Sequence, residues 1–540
     1  MRRPTRCAVL AAFLLLTGST ALLAQGENAF PLAKGTLRVG LEPDWSRWDQ
    51  RFGSGTPGYA NGAREPLAVD FSSDSLGVTQ LPFLADAQSR VRAATGVGAF
   101  QFNLGRAQLT LNNSVKVIPF SAAYGVSRRF GVRAMLPIVR ARVDAYLLGP
   151  DSTTNGNVGL NPALASPGAL NAFRSQVDSA LVALQEQAAS GPAALRGQAQ
   201  AAYASLQPFL CAPYTLGEGN AGTSASPCFV AGRAFASPVL PVSGSEAGDS
   251  IVNRLTNGEA NYDALRTAYA ADGVALPPLD QTYTLPATAL DSAQLRDVFS
   301  APGGAVAGDS LTSLVRTRLG NLELGGWYQL AMSARWRSQV AFTLRLPTGV
   351  EDNPDNAIDL GTGYHAMGWE VGWRNDVVLR PDFWFHAGAS AAGWATTSLV
   401  RRVMPADVLI APLADTATVR RSPGAVLSVD LVPNWQLDDA FSLGLGVHWT
   451  HQAATRYAYV NPADSARTGY AAGVLDAETQ ATALSLGAGV TFATVDRYAR
   501  GQASVPYRLT VAYRKAFAGS GGKVPAYSAF SLSLQIYIAH

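Results

Sequence analysis

Eleven ionisable residues recur at alternate positions of short apolar–polar runs: Arg38, Glu42, Arg133, Glu323, Arg345, Glu370, Arg374, Asp430, His448, Arg508 and Arg514. Successive side chains of a strand point to opposite faces, so these residues share one wall and their apolar neighbours the other. Mixed signs on one wall predict arginine–carboxylate pairs across an interior. Such pairs either line a selective passage or neutralise one another in a filled one. The run from Glu351 to Asp359 offers hard oxygen ligands, and Asp352, Asp355 and Asp359 are candidates for Ca²⁺. Its spacing does not match an EF-hand loop, and Asp and Asn beside Pro equally serve turns. His448 and His451 look like a metal pair, yet three apart on a strand they face opposite walls. The chain has no G-x-S-x-G elbow, phosphate loop or H-E-x-x-H motif, and no spacing assembles its serines and histidines into a catalytic set. We therefore expect no catalytic residues, no cofactor and no enzyme.

Strands must position the eleven. Leu322, Leu324, Tyr328, Leu330, Met332 and Trp336 alternate with Glu323, Gln329, Ser333 and Arg335. The pattern returns at Leu484, Leu486, Val490 and Phe492, at Val505, Tyr507, Leu509, Val511 and Tyr513, and at Phe530, Leu532, Leu534, Ile536 and Ile538. No stretch after Gln25 approaches the ~20 apolar residues of a spanning helix. Backbone groups in lipid must all be paired, which a closed barrel achieves without helices. The expected fold class is all-β, a transmembrane antiparallel β-barrel with apolar residues toward lipid and charges toward the lumen.

Residues 1–24 read as a secretory signal: Arg2, Arg3 and Arg6, an apolar stretch from Ala8 to Leu16, and Leu22-Leu23-Ala24 before Gln25. Three of the 42 basic residues lie there and no acid does, so the remainder balances its 39 acids and gives no case for nucleic acid. Cys211 and Cys228 then remain, and an oxidising compartment permits a disulfide between them.

Short turns at 127–129, 335–338, 380–382 and 437–439 alternate with long connections at 150–319, 350–363, 397–422, 456–478 and 517–525. Bacterial barrels keep short turns periplasmic and long loops outside. The spacing predicts about twelve strands: 36–45, 107–126, 131–146, 320–334, 337–349, 365–379, 383–396, 424–435, 440–453, 481–495, 504–516 and 526–539. The second changes phase near Asn113 and holds Pro119, which makes fourteen the alternative. Residues 25–149 supply the N-terminal strands and 320–540 the C-terminal ones. Between strands, 46–106 suits a luminal plug, a periplasmic segment or an extracellular loop. Residues 150–319 form a mainly helical extracellular insert, with helices expected near 167–188, 192–206, 251–270 and from Asp291. The insert suits a cap over the pore, a partner-binding module or a loosely ordered excursion.

The stretch from Tyr124 to Pro137, YGVSRRFGVRAMLP, resembles a strand–turn–strand of the outer-membrane transporters labelled meta-pathway of phenol degradation, relatives of the long-chain fatty-acid transporters. Asn321-Leu-Glu-Leu-Gly325, Leu344 to Gly349 and Asp359 to Gly363 resemble that family's next hairpin. The resemblance covers roughly 100–149 and 320–540. It implies passive passage of small hydrophobic or aromatic molecules through a barrel, and carries over no catalytic residues. The insert is larger than the family's pattern, and His540 stands where such barrels usually end in Phe. The expected partners are outer-membrane lipid, a small-molecule substrate and the barrel-assembly machinery, engaged through the last strand. The alternative function is a structural or adhesive barrel whose insert binds a partner.

Overall fold

Alternation becomes twelve staves in the computed structural model. It describes residues 32–539 except 54–57, 150–155, 163–166, 207–236, 281–283, 301–305, 307, 309–310, 406–407, 409 and 523. The signal segment 1–24, Cys211, Cys228 and His540 lie outside the described residues. The first strand is Thr36–Leu41 continued by Asp44–Trp48, the second Gln108–Gly125 and the third Phe130–Leu148. Leu314–Leu319 continued by Glu323–Met332 is the fourth, followed by Trp336–Arg345, Gly368–Arg380, Phe383–Trp394 and Val426–Gln436. Phe441–Gln452, Ala481–Ala493, Tyr507–Ser520 and Ser528–Ala539 complete the set. Every neighbouring pair is antiparallel, and Thr36 pairs with Ala539 while Leu37 pairs with Tyr124, so the first strand closes the barrel onto the last. Closure leaves no edge, as lipid demands of a sheet. No described helix is long and apolar enough to cross a membrane.

The phase change at Asn113 is not an extra strand. Along the second and third strands the register is unbroken from Gln108↔Leu148 to Gly125↔Gly131. What changes is the surroundings. In the lower part Phe120, Tyr124, Phe130, Val132 and Leu136 face outward and are exposed, among them Phe120 at 51 %. Higher up the outward positions become Lys116, Ser114, Arg140 and Arg142, while Leu109, Leu111, Val115, Val139, Val143 and Leu147 are buried inside. The outward belt is continued around the barrel by Leu324, Tyr328, Phe342, Trp373, Leu431, Leu445, Leu486, Val490, Val511 and Phe530, all exposed. An apolar girdle of this extent does not face water; it is the lipid face of an outer-membrane barrel. Above it the wall stands in water with an apolar filling, and the same strands carry the opposite pattern.

Residues 49–107, left open by the sequence, supply that filling. The first strand leaves the barrel at Trp48, opposite Asn113 and so at the long-loop end. The segment then packs Leu67, Phe71, Leu76, Leu81, Leu84, Val91, Phe100, Phe102 and Leu104 against the inward residues of the second and third strands. A small sheet of Gln50–Phe52, Arg64–Pro66 and Val524–Pro525 ties it to the loop before the last strand. Arg51 anchors the start, buried and bonded to Glu65 and Asp70 at 2.6 Å each. Its helix Ala85–Thr95 ends where Gly96 takes φ +73°, a left-handed cap open to glycine.

The insert forms helices Pro167–Ser190, Arg196–Leu206, Glu246–Ala271 and Ser292–Ser300. The first three share a core of their own around Phe173, Leu184, Leu206, Leu255, Tyr262 and Tyr269. The fourth joins the barrel filling instead, with Phe299 edge-on to Phe71 at 6.0 Å. Ser250 and Arg254 of the long helix donate to the Thr95 carbonyl, so insert and filling touch.

Candidate functional site: the charged inner wall

The register places ten of the eleven ionisable residues on the inner face, and Glu42 joins them through its bond to Gln535. On the fourth to sixth strands the rows read Glu323–Arg345–Gly368 and Gly325–Thr343–Glu370. Adjacent rows on one face bring the three charged groups together. Arg345 Nε donates to Glu323 at 2.9 Å and its Nη2 donates to Glu370. Arg345 and Glu323 are both almost fully buried. Two anions on one fork-shaped cation satisfy the guanidinium geometry that a lysine would not match.

Arg133 reaches across a whole strand. Its Nη2 donates to Thr343 Oγ1 at 2.6 Å, although Thr343 lies two strands away. Gly325 sits between them in register, and a Cβ there would lie 3.3 Å from both Arg133 Nε and Thr343 Oγ1. The Phe342 carbonyl oxygen, 2.5 Å from the same position, is what excludes a side chain there. One row lower, Trp327 lies across Gly131, where a Cβ would come within 2.1 Å of the indole.

A second cluster spans the sixth to ninth strands. Arg374, Gly388, Asp430 and His448 stand in one register row, and Asp430 Oδ1 meets His448 Nδ1 at 2.5 Å. Sequence reading missed its neighbour, Asp376 with His386 at 2.7 Å, both fully buried. Alternation from Phe383 and Phe385 would have put His386 inward, but the Ala- and Gly-rich run after it hid the phase. Gln329, read from alternation as polar, is bonded at 2.8 Å to Gln339, which was passed over. On the far wall Gln535 donates to Glu42 at 3.0 Å, and Arg508 stands beside Gln535 in register. Arg514 lies 5.3 Å from the Tyr527 ring centre, and Arg38 pairs in register with Tyr537. The eleven therefore form groups, not one site: Glu323–Arg345–Glu370 and Asp430–His448 are brought together, and the rest are distributed around the wall.

The carboxylates of the acidic loop, the calcium candidates among them, each meet an arginine. Asp352 meets Arg401 at 2.8 Å, Asp355 meets Arg402 at 2.8 Å, and Asp359 meets Arg316 at 3.0 Å, while Glu351 pairs with Arg421. Each carboxylate is paired with its own arginine, and no group of three or more His, Cys, Asp or Glu able to hold a metal occurs among the described residues. Burial pushes the Asp352 carboxyl above its ordinary range, with Arg401 opposing. Arg401, Arg402 and Arg421 pin this loop to an extracellular sheet of Thr397–Arg402, Thr416–Ser422 and Arg456–Tyr459, which the sequence left as connections, and Arg316 ties it to the fourth barrel strand. From the inner wall to that sheet runs a stack: Arg345 at 5.9 Å from the Trp394 ring centre, Trp394 at 5.2 Å from Tyr364, and Tyr364 at 4.4 Å from Arg421. Alternating cations and aromatic faces attract through the ring quadrupole, so the column fixes the loop above the lumen.

No family model and no curated protein matches the chain, so the phenol-degradation label finds no match. Among solved structures, an outer membrane channel from Pseudomonas putida F1 is 10% identical, with 95% of this chain and 99% of that chain covered at TM-score 0.41. A Pseudomonas aeruginosa FadL homologue is 9% identical over 99% and 100% of the two chains, at TM-score 0.30. The Ralstonia pickettii toluene transporter TbuX is 9% identical over 94% and 90%, at 0.29. Likenesses at this level identify no family.

Proposed function

We propose that the chain is an outer-membrane channel or transporter for passive uptake of small hydrophobic or aromatic molecules. One observation carries this: the mouth is filled with apolar residues from the 49–107 segment, and the charged wall lies beneath them. A hydrophobic solute leaving water would have to pass the apolar filling that buries Phe71, Phe100, Phe102 and Ile410, with the arginine–carboxylate rows below as the filter. In this reading the eleven inner-wall residues set selectivity and brace the wall. The twelfth strand is what the assembly machinery would read.

Single-channel conductance of the refolded mature protein in a planar bilayer tests it. Discrete steps suppressed by an added aromatic or fatty acid are expected. Silence from a barrel that still resists unfolding in cold detergent would refute an open channel. A second reading, an adhesive barrel, is favoured by the separate core of the helical insert. Deleting 163–305 separates the two: a channel keeps conducting, and an adhesin loses its partner.

A further inference from the structure

We propose that Lys116 and Arg140, with Arg47 and Arg142 above them, form a site for the phosphate of a lipid headgroup in the outer leaflet. Height places them there. A membrane strand needs ~9–11 residues. Residues 118–125 on the second strand and 130–138 on the third are eight and nine, bounded below by the short turn at Ser127. Lys116 and Arg140 are the first outward positions beyond that span, and they are register partners. One outward step higher stand Arg47, Ser114 and Arg142, again neighbours in register. Strands lie ~4.8 Å apart and outward residues ~7 Å apart along a strand, so the four cations cover about the area of a phosphorylated headgroup.

The groups are available. Lys116, Arg140, Arg47 and Arg142 are exposed. Arg142 has Asp144 beside it at 2.9 Å and Arg47 donates to Asn112 at 3.0 Å. Asp144 is the one carboxylate among the outward residues from 108 to 116 and 138 to 146. Nor can the strands turn to hide the charges, because Val115, Val139 and Ala141 on the other face are core. Trp45, beside Lys116 in register and 5.7 Å from Phe530, marks the interface where an indole belongs. Elsewhere the extracellular ends of the strands face outward with Leu344, Trp369, Leu427 and Trp449, so the basic surface is one-sided. Phosphate oxygens accept charge-assisted bonds from several such donors at once.

The test is native mass spectrometry of the full mature barrel in detergent, titrated with diphosphorylated lipid A or with phosphatidylcholine. The expected result is retention of lipid A at about tenfold lower concentration than phosphatidylcholine. The Lys116→Gln/Arg140→Gln variant should lose that preference, whereas Lys116→Arg/Arg140→Lys should keep it. Arg128→Gln removes an exposed charge from the short turn at the opposite end of the same hairpin and should leave it unchanged. Equal binding of both lipids, an unaltered preference in the double glutamine variant, or displacement of lipid A by millimolar inorganic phosphate would overturn the proposal. Failure to retain lipid A would overturn the proposal and leave the barrel itself untouched.

Discussion

Replacing Arg345 with Met would leave Glu323 and Glu370 facing each other without their cation. Arg345 and Glu323 are each about 6% exposed at the side chain and Glu370 16%, so water replaces little of the lost interaction. Removing one partner of a buried pair costs ~3–5 kcal/mol because a charge is left uncompensated. Here two are left, so Arg345→Met belongs at the upper end. Glu370→Gln keeps the Arg345–Glu323 pair and should cost ~1–3 kcal/mol, the scale of one charged hydrogen bond. The triple change Glu323→Gln/Arg345→Met/Glu370→Gln removes all three charges and should recover most of the loss, within ~1 kcal/mol of the parent, since a whole buried triad can be replaced at little cost. Urea unfolding of the refolded barrel, followed by tryptophan emission, reads all three; Trp394 beside Arg345 is a local reporter. A single Arg345→Met variant within ~1 kcal/mol of the parent, or a triple variant no better than the single, would refute the uncompensated-charge reasoning.

Three further outcomes follow from the geometry. Gly131→Ala would drive a methyl to 2.1 Å from Trp327, so the indole must move; ~1–3 kcal/mol of overpacking and a shifted emission maximum are expected, and an unchanged spectrum would count against the contact. Val132→Arg puts a charge on the lipid face and should cost ~2–4 kcal/mol, whereas Thr110→Arg, outward but above the belt, should cost almost nothing; equal costs would refute the face inversion. Burial pushes the Asp415 carboxyl up to about 6, against the opposing effect of Arg467. The unfolded chain then gives up this proton first, so the folded loop is favoured below the ordinary carboxylate range and loses that advantage as pH rises through about 6. Protection of the Val403 amide, which donates to the Asp415 carbonyl, should fall over that range once each rate is divided by its intrinsic value at that pH, and should stay level in Asp415→Asn.

Strand number was legible because lipid and lumen impose opposite demands on successive residues, and a period of two survives in the sequence. Where both faces of a strand meet water or filling, that signal fades. The first strand runs on to Trp48 and the fourth begins at Leu314, past the expected limits, because those extensions stand outside the belt. Strands Thr397–Arg402, Thr416–Ser422 and Arg456–Tyr459 form a sheet with a local core of Leu399, Val419 and Tyr457, whose pattern resembles any loop. The insert helices were visible through apolar spacing, since each buries one stripe. Of the inner wall, direction could be read from alternation, but partnership could not. That Arg345 holds two glutamates, or that Arg133 passes over Gly325, depends on which strands become neighbours, and register is not written locally.

The seam between first and last strands has a consequence for how the molecule is made. Thr36 and Ala539 are separated by about five hundred residues, so no intermediate short of the whole chain can close. The entropy is modest, since each doubling of a loop adds only ~0.6 kcal/mol. The delay is the larger matter. At ~5–20 residues per second the opening strand waits roughly half a minute to two minutes for its final neighbour, offering bare hydrogen-bonding groups to any other extended segment. Pro43 interrupts that strand, donates nothing itself and in the finished barrel only accepts from Leu532. A waiting edge with a gap in its row of donors is a poor template for the wrong partner.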